Sequence, residues 1–571
     1  MLESHSFGKE TPKAKGAFGI DLGTTNSCIS VVDNNGVAKV IPLKSGGSLL
    51  PSCVLWDGNK NEFIVGKEAY KNRYKPNACY SVKTLMGSEE IVHFKHGHKE
   101  ITKTPVEVSS LILKALVDEI DYVYPGVEDV VITVPAAFTT KQIEDTRKAA
   151  ELANLNVLSI IKEPTAASLA YRLDDDKDKT VLVYDLGGGT FDVSLVDIKK
   201  QASDDSSDLF DLLGVEESSN KESKTIVTVK NTAGDTHLGG DDLDRELLRM
   251  VLEKLEKQGC KTNLISKVDK EKLLLRIESF KKSFDHALSL DSKISFVLTD
   301  GSKWEGTVVT SAEDFIRATR TIYKRTKKYI DKIVNSNLNI DAIVLVGGST
   351  KNKKLQEMIA RDFPNCQVCN YLYADEAVSL GASIAAKRAK FGADDFDVFD
   401  VISSNIGVLA INRVVPVIEK ATSIPCTKSK VLVNHCDDQE QAQVKIYEGS
   451  DVQPEKCTYL GDLLIDLPKG KAGEVSVEIF LSVDISGLLT VETVTNGVRK
   501  KAQLVNVLGR KVENDNNKET SVVFSRWYDV ANSLEDDEQR ETLLNLIEKA
   551  RKEPNAKVEV IKFLRSLKDV K

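Results

Sequence analysis

Two segments of the sequence repeat one pattern, in which an apolar run ends in an aspartate and continues into a turn of small residues. The first copy is Ile20-Asp21-Leu22-Gly23-Thr24-Thr25-Asn26, and the second is Tyr184-Asp185-Leu186-Gly187-Gly188-Gly189-Thr190. The copies align without a gap as far as a second aspartate, Asp33 or Asp197. A tight turn with a solvated aspartate explains either copy alone, but nothing structural requires an aligned pair. Such a repeat indicates a duplicated lobe.

The residues of each turn are suited to holding phosphate. Glycine lets the backbone approach a phosphate closely, so that successive N–H groups point at it, and threonine hydroxyls add donors. A carboxylate beside a phosphate needs a cation between them, and Mg²⁺ held largely through water fits that need. We therefore predict that Asp21 and Asp185 face each other across a cleft that holds Mg²⁺ and the phosphates of a nucleotide.

Two further segments carry residues that could complete such a site. Gly347, Gly348 and Ser349 form a turn between an apolar run and a helical run, where a contact to adenosine or phosphate is expected. Glu163 precedes a proline and is a candidate for positioning an attacking water. On spacing alone, a surface carboxylate is an equally good interpretation of Glu163.

One face of a predicted helix concentrates charge. The residues recur at helical spacing and are Glu278, Lys281, Lys282 and Asp285. This face could hold a ribose or an adenine, although spacing alone favours an ordinary solvated face.

The elements around these residues indicate an α/β region followed by a β region. Strand-like runs alternate with amphipathic helical runs up to about residue 390, which is typical of an α/β architecture. The strands predicted there are 130–134, 181–185 and 342–346, and the helices are 141–153 and 353–361. Short alternating runs with turn residues between them follow, and they are typical of a β-sandwich. These later runs are 430–433, 443–447, 474–483 and 488–494.

These changes in pattern divide the chain into five segments. We predict a flexible tail at 1–16, an α/β domain at 17–391, a linker at 392–401, a β-sandwich at 402–510 and a short helical region at 511–571. A stretch rich in Ser and Asp at 199–224 is expected to be an exposed insertion.

The composition excludes several classes of protein. The 571 residues include 78 Lys and Arg against 86 Asp and Glu, so the net charge of −8 argues against a dedicated nucleic-acid binder. No run approaches the roughly 18 apolar residues that a membrane-spanning helix needs. The nine cysteines are few and dispersed, which suits a reducing compartment. We therefore expect a cytoplasmic protein without a membrane span.

A set of longer motifs gives the chain a specific resemblance. The motifs are FGIDLGTTNSCISVVD, VVITVPAAFTTKQ, IIKEPTAASLAY, VYDLGGGTFDVSLVDI, GDTHLGGDDLD, IVLVGGSTK, ADEAVSLGAS, IEKATSIPCTKS, VKIYEGSD and DISGLLTVE. Together they resemble the 70-kDa heat-shock chaperone family. The resemblance implies an actin-like ATPase domain of two duplicated lobes, a β-sandwich that binds extended hydrophobic peptides, and a short helical tail in place of a full lid.

The resemblance also implies an activity, cofactors and partners. It implies slow hydrolysis of ATP to ADP and phosphate, coupled through the linker to the binding of unfolded polypeptide segments. ATP or ADP, Mg²⁺ and K⁺ are the expected cofactors. A J-domain co-chaperone and a nucleotide exchange factor are the expected partners, besides the unfolded polypeptides.

The resemblance assigns roles to individual positions. The implied catalytic residues are Asp21, Lys71, Glu163, Asp185 and Thr190, and the implied metal-ion residues are Asp21, Asp185 and Asp192. The implied nucleotide contacts are Gly23, Thr24, Thr25, Asn26, Gly187, Gly188, Gly189, Gly239, Gly240, Glu278, Lys281, Lys282, Gly347, Gly348, Ser349 and Asp375. Interdomain coupling is assigned to Pro135, Phe396, Val398, Phe399 and Asp400, and peptide binding to Ile411, Leu432, Ala442 and Val444.

The chain departs from the family pattern at several of these places. Tyr70 stands where we expect the family's catalytic lysine, so the cation would have to come from Lys71 or be absent. Ile143 replaces an arginine of the interdomain relay. Ser159 and Lys162 replace the arginine and asparagine that help to engage J-domain partners.

The linker also departs from the family, which has a run of leucines there. Docking this linker would bury Phe396, Val398 and Phe399, but it would bring Asp397 and Asp400 near low dielectric. We therefore predict that ATP weakens peptide binding by less than about tenfold.

Two other functions remain open on the sequence. A weakly hydrolysing relative that acts as a regulatory co-chaperone or exchange factor is favoured by Tyr70 and Ile143. An actin-like filament protein or a sugar kinase is disfavoured because those families lack the β domain.

Overall fold

The computed structural model describes most of the chain. The described residues are 16–33, 35–171, 178–201, 224–283, 289–334, 338–369, 374–392, 396–410, 412–495, 497–502, 542–543 and 546. The predicted N-terminal tail, nearly all of the Ser- and Asp-rich insertion, Asp285, Ile411 and almost all of the predicted helical tail lie outside them.

Strands and helices alternate through the first two thirds of the chain, and the elements described from 396 to 502 are strands with one short 3-10 helix at Pro454–Lys456. The helices are α1 Lys67–Lys71, α2 Pro105–Asp118, α3 Thr140–Leu152, α4 Glu163–Ala170, α5 Gly240–Lys257, α6 Lys267–Ser283, α7 Ala312–Ile333, α8 Lys353–Asp362 and α9 Ala377–Phe391. The strands up to residue 201 are β1 Ala17–Asp21, β2 Asn26–Val32, β3 Ala38–Val40, β4 Leu49–Pro51, β5 Cys53–Asp57, β6 Glu62–Val65, β7 Ala78–Tyr80, β8 Val92–His96, β9 Lys99–Lys103, β10 Asp129–Val134, β11 Asn156–Lys162, β12 Lys179–Leu186 and β13 Phe191–Gln201. The later strands are β14 Lys224–Asp235, β15 Ser289–Val297, β16 Lys303–Ser311, β17 Ala342–Val346, β18 Gln367–Cys369, β19 Phe396–Val401, β20 Ile406–Ala410, β21 Arg413–Ile418, β22 Ser423–Ile424, β23 Cys426–Val433, β24 Gln441–Glu448, β25 Thr458–Asp466, β26 Ser476–Val483, β27 Leu489–Thr495 and β28 Val498–Ala502.

Two large sheets have the same internal topology. In the first, the strand order is β11-β10-β1-β2-β3, with β1 parallel to β10 and antiparallel to β2. In the second, the order is β18-β17-β12-β13-β14, with β12 parallel to β17 and antiparallel to β13. The aligned aspartate motifs occupy matching places, because β1 and β12 are the corresponding central strands.

Helices α4 and α9 lie close together beside these sheets. A side chain at Gly381 of α9 would come within 1.7 Å of the carbonyl oxygen of Ala166 in α4. A side chain at Gly19 of β1 would come within 2.0 Å of the backbone nitrogen of Ser383 in α9. These contacts leave no room for a Cβ atom, so glycine at both positions lets α9 pack directly against α4 and β1.

The strands beyond β19 form two further antiparallel sheets. Their orders are β21-β20-β24-β25 and β23-β26-β27-β28. Apolar side chains from both sheets meet in one buried cluster, to which Ile406 and Ile446 contribute from the first and Ile479 and Leu481 from the second. Both sheets therefore share a single core.

The predicted linker is a strand that joins these two parts of the chain. The first four residues of β19 pair in parallel with β14, from Phe396 opposite Thr225 to Phe399 opposite Thr228. The next residue, Asp400, pairs with Ile424 of β22. Consequently β19 belongs to the sheet that contains β12 and continues into the region of the two later sheets.

The strands and helices predicted from periodicity are present. The strand predicted at 342–346 has those bounds, and those predicted at 130–134 and 181–185 are found slightly longer. The helices begin at Thr140 and Lys353, within a residue of the predicted starts. In the described part of the chain, no helix is long and apolar enough to cross a membrane.

Candidate functional site

The two aspartate-containing turns line one cleft. The cleft has a volume of about 590 Å³, and most of the predicted nucleotide contacts line it. Those that do so are Gly23, Thr24, Thr25, Asn26, Gly187, Gly188, Glu278, Lys281, Lys282, Gly347, Gly348, Ser349 and Asp375, together with Asp21, Glu163, Asp185 and Thr190. Gly189, Gly239, Gly240, Asp192 and Lys71 are not among the lining residues.

The two turns approach each other closely. A side chain at Gly188 would come within 1.8 Å of the hydroxyl of Thr25. A side chain at Gly239 would meet the carbonyl oxygen of Gly188 at 2.3 Å, and the N–H of Gly240 donates to the carbonyl of Gly187 at 2.9 Å. Although Gly239 and Gly240 do not line the cleft, they pack behind the turn that does and hold it in place.

Buried acids surround Lys83 in this cleft, whose lining also includes Lys281 and Lys282. Lys83 lies in a short 3-10 helix at Val82–Leu85, and its ammonium is 2.5 Å from the Glu163 carboxylate. Both side chains are buried. Desolvation, and then the negative charge of Glu163, raise the pKa of Asp21 to about 7. Desolvation also raises the pKa of Asp185 well above its ordinary value.

These acids fit a bound cation. The charges of Asp21, Asp185 and Glu163 exceed what Lys83 can neutralise, and buried charge without a partner is costly. Asp192, which is opposite Asp185 in the β12–β13 pair, is also buried. Within the described residues, its Oδ1 atom has no hydrogen-bond partner. In the described residues, no group of three His, Cys, Asp or Glu side chains is placed to ligate a metal ion directly, so these carboxylate oxygens would hold Mg²⁺ largely through water.

The structure corrects the expectation that Lys71 supplies the cleft's cation. Lys71 ends the one-turn helix α1, is exposed, and does not line the cleft. Lys83, twelve positions later, lies in the cleft and pairs with Glu163. Lys83 is not identifiable from local sequence pattern, because its partner Glu163 is 80 positions away.

Tyr70 instead forms part of a clasp on Glu278, a residue that lines the cleft. Its hydroxyl donates to one carboxylate oxygen of Glu278, and the guanidinium of Arg73 binds the other. The guanidinium carbon of Arg73 also lies 4.0 Å from the centre of the Tyr70 ring. Burial tends to raise the pKa of Glu278, but hydrogen bonds from Lys282 and Tyr70 hold that pKa below its ordinary value. Glu278 is therefore an ionised anchor between α1 and α6.

This clasp leads to a prediction for nucleotide release. Tyr70→Phe removes the hydroxyl that bonds an ionised carboxylate, and such bonds contribute about 1.5–3 kcal/mol. We expect Tyr70→Phe to release ADP about three- to tenfold faster than wild type, because Arg73 and Lys282 still hold Glu278. Displacement of a fluorescent ADP in a stopped-flow instrument would measure the rate. Tyr122→Phe, at an exposed tyrosine, is the matched control, and an unchanged rate in Tyr70→Phe would contradict the clasp.

The acidic residues of the linker have basic partners. Asp400 is buried and lies 3.1 Å from the ammonium of Lys162, which also donates to the carbonyl of Val401. Asp397 lies 2.7 Å from the guanidinium of Arg388. These pairs offset the cost that the sequence analysis assigned to bringing both acids near low dielectric.

The apolar linker residues are buried unevenly. Phe396 is 5% exposed and Val398 is half-buried, whereas Phe399 is 41% exposed. Docking of β19 therefore buries less apolar surface than full burial of all three side chains would, because Phe399 faces outward.

The relay position also contacts the later sheets. Ile143 is buried, and its Cδ1 atom would lie 2.9 Å from a side chain placed at Gly487. Next to it, the hydroxyls of Ser159 and Ser486 are 3.3 Å apart. Neutral side chains thus form this contact at the two positions where the family has arginines. Pro135, at the end of β10, accepts the backbone N–H of Phe138.

The described residues assigned to peptide binding lie on β23 and β24. Leu432 and Ala442 are partly buried against the shared core, and Val444 is 6% exposed within it. Val431 and Val433, the neighbours of Leu432, are 57% and 58% exposed. Because successive residues of a strand point to opposite faces, Val431 and Val433 form an exposed apolar face opposite the one that carries Leu432.

Comparison with known proteins places this geometry in a family. A family described as Hsp70 protein matches residues 17–204 and 221–566. The chain is also 32% identical over 489 residues to the chaperone protein DnaK of Mycoplasmoides gallisepticum, a match that covers 83% of this chain and 77% of that protein. Members of this family generally bind ATP or ADP with Mg²⁺. By its sequence across most of its length, the chain belongs to the Hsp70 family of chaperones.

Proposed function

We propose that the chain is an ATP-dependent chaperone that binds extended hydrophobic segments of unfolded polypeptides and changes its affinity through ATP binding and hydrolysis. The observation that carries the proposal is the position of β19. This strand belongs to the sheet whose strand β12 presents Asp185 to the cleft, and its far end pairs with β22. A change at the nucleotide therefore has a hydrogen-bonded route to the later sheets.

The two parts have distinct proposed roles. We assign nucleotide binding to a domain at 17–391 made of two duplicated lobes, a linker to 392–401, and peptide binding to a β-sandwich at 402–510. The matching topologies of the two large sheets support the duplication, and the shared core of the two later sheets supports the sandwich. The segment at 511–571 stays a proposed short helical lid.

The cleft residues suggest how slow ATP hydrolysis would proceed. Mg²⁺, when bound between Asp21 and Asp185, would neutralise charge on the transferring phosphoryl group. Glu163 would orient the attacking water, and Lys83 would hold Glu163 and add positive charge at the reaction centre. Thr190, from the turn after β12, would donate to the phosphate. Positioning and charge neutralisation would supply most of the acceleration.

Peptide binding is assigned to the apolar surface near β23. We keep Ile411, Leu432, Ala442 and Val444 as proposed contacts and add Val431 and Val433, on the exposed face of β23, as further proposed contacts. An extended peptide with apolar side chains would suit an apolar surface that is built from strands. Other partners stay proposals as well, namely a J-domain co-chaperone, a nucleotide exchange factor and a K⁺ ion at the acidic cleft. A cytoplasmic location is supported by the nine free cysteines.

A single-turnover experiment tests this function. The bound ATP would be chased in the presence and absence of an unfolded peptide, and peptide affinity would be measured with ADP and with a hydrolysis-resistant ATP analogue. We expect slow hydrolysis and weaker peptide binding with the analogue. Absence of hydrolysis, with equal peptide affinity in both states, would favour a regulatory co-chaperone or exchange factor.

The structure weakens that second candidate. Its support came from Tyr70 and Ile143, because each replaces a residue of the family pattern. Lys83 provides the cleft with a lysine, and Ile143 makes an apolar contact with the later sheets. Neither replacement therefore removes the groups that hydrolysis and coupling need.

The linker pairs lead to a further prediction. The sequence predicts that ATP weakens peptide binding by less than about tenfold; because Asp397 and Asp400 both have partners in the structure, we propose a ratio above about tenfold instead. Lys162→Met leaves Asp400 buried without a cation, which costs several kcal/mol in a docked linker. The affinity ratio should then fall towards one, as read by fluorescence anisotropy of a labelled peptide. Lys148→Met, on the exposed side of α3, is the control; a ratio unchanged in Lys162→Met would show that the pair does not hold the linker.

A further inference from the structure

Glu448 is buried where the nucleotide-binding part meets the later sheets. It is the last residue of β24, and its side chain is 3% exposed. Its Oε2 atom accepts a hydrogen bond of 2.8 Å from the backbone N–H of Thr140, the first residue of α3. Thr140 belongs to the nucleotide-binding part and Glu448, 308 positions later, to the later sheets. This contact therefore exists only while the two parts are docked.

The charges at this junction do not balance. The positive charge of Lys162, at the end of β11, tends to lower the pKa of Glu448. Lys162 is already paired with Asp400 of β19. Among the described groups that influence the pKa of Glu448, Lys162 is the charged one. Thr140 acts through hydrogen bonds from its N–H and its hydroxyl. Lys162, Asp400 and Glu448 are all buried, being 7%, 5% and 3% exposed. The one ammonium that influences Glu448 is therefore already bonded to Asp400, and ionising both buried acids would leave the Glu448 carboxylate without a partner of its own.

We propose that docking of the two parts takes up one proton from solvent onto Glu448, so that mild acidity favours the docked arrangement. The proton converts the Glu448 carboxylate to a carboxylic acid, and Lys162 and Asp400 stay as a matched ion pair. The acid's carbonyl oxygen still accepts the Thr140 N–H, so no hydrogen bond is lost. The inference rests on the proposed function, in that docking must be reversible.

The direction of the pH effect follows from the environment of Glu448. Burial raises the pKa of Glu448 from 4.5 to about 7 in the docked arrangement, whereas undocking returns it to solvent. Because the docked arrangement binds the proton more tightly, docking is strengthened as the pH falls through 7 and loses this contribution as the pH rises above 7. Linkage gives an increase of about tenfold in the docking equilibrium constant between pH 8 and pH 6.

Small-angle X-ray scattering of the full chain tests the proposal. The radius of gyration would be measured at pH 6, 7 and 8, with ADP and with the ATP analogue. For wild type, we expect a more compact molecule at pH 6 than at pH 8. Glu448→Gln keeps an acceptor for Thr140 but carries no charge, so it should be compact at all three pH values. Glu455→Gln, at an exposed glutamate of the same part, should behave like wild type.

Calorimetry gives an independent measurement of the proton itself. Binding of the ATP analogue at pH 6 would be measured in buffers of different ionisation enthalpy, which reports the number of protons taken up. The difference between wild type and Glu448→Gln should be about 0.9 proton per chain. Subtracting the variant removes protons exchanged by the nucleotide or in the cleft.

The outcomes separate this inference from the proposed function. Equal proton uptake and equal pH dependence in wild type and Glu448→Gln would overturn the inference, even if compaction follows the nucleotide. Compaction that depends on pH in wild type, with Glu448→Gln compact at every pH, would support it. If that pH response occurs with no difference between ADP and the analogue, the inference stands and the proposed nucleotide cycle fails.

Discussion

Replacing Lys83 with methionine is expected to lower the single-turnover rate of ATP hydrolysis by at least about a hundredfold. The methionine fills similar space but leaves Glu163 without the ammonium now 2.5 Å from it. Glu163 would then be a buried carboxylate beside Asp21 and Asp185, without the Lys83 ammonium that holds it in place. It would orient the attacking water less well, so the chemical step should slow even where ATP still binds.

The matched control is Lys71→Met. Lys71 is exposed on α1 outside the cleft, so its removal should change the rate by less than about twofold. Rapid-quench measurement of bound, radiolabelled ATP compares the two variants directly. A larger loss in Lys71→Met than in Lys83→Met would restore the assignment made from the sequence and contradict the one made from the structure.

Replacing Asp185 with asparagine is expected to reduce hydrolysis by orders of magnitude without destabilising the free protein. The asparagine cannot neutralise a divalent cation, so the transferring phosphoryl group would lose charge stabilisation. In the protein free of Mg²⁺ and nucleotide, however, Asp185 is a buried acid near Asp21, Asp192 and Glu163, and these charges repel one another. Removing one of them should maintain or raise the melting temperature at pH 7.5.

A second part of this prediction concerns pH. Because folding raises the pKa of Asp21 to about 7 and raises that of Asp185, these groups favour the folded state at low pH. The contribution of Asp21 is complete below its unfolded value of 3.8 and is lost as the pH rises through about 7, and the raised pKa of Asp185 acts in the same direction. The melting temperature of metal-free wild type should therefore fall between pH 5 and pH 8, and less steeply in Asp185→Asn.

Asp197→Asn is the control within the same β-hairpin. Asp197 is the second aspartate of the repeated motif, but it pairs with Lys230 at 3.3 Å and does not line the cleft. Its replacement should leave hydrolysis within about twofold of wild type. Near-normal hydrolysis in Asp185→Asn, or equal losses in the two variants, would sink the proposed metal site.

The sequence was informative where function depends on local pattern. The aspartate motifs, the strand at 342–346 and the glycine turn after it are each encoded within a few residues, so periodicity and turn chemistry located them. Both motifs line one cleft, as the repeat indicated.

The sequence failed where function depends on pairs that are distant in the chain. Lys83 is a buried lysine only because Glu163 lies against it, and Asp400 is tolerated only because Lys162 is there. No local pattern announces either pair, since each partner looks like an ordinary surface charge by itself. The Tyr70–Glu278 contact was missed for the same reason, as its members lie 208 positions apart.

The pairing of β19 with β14 also bears on how the molecule avoids self-association. An unpaired strand at the edge of a sheet is a template for strands from other molecules. Here β19 covers the edge of β14, because Phe396 to Phe399 lie beside Thr225 to Thr228. A substitution that detaches β19 would expose the edge of β14. The freed β19 could then pair with β14 of a second copy of the chain. We therefore expect such a substitution to have two effects together. The coupling between the two parts would weaken, and β19 would exchange between molecules in a concentration-dependent way.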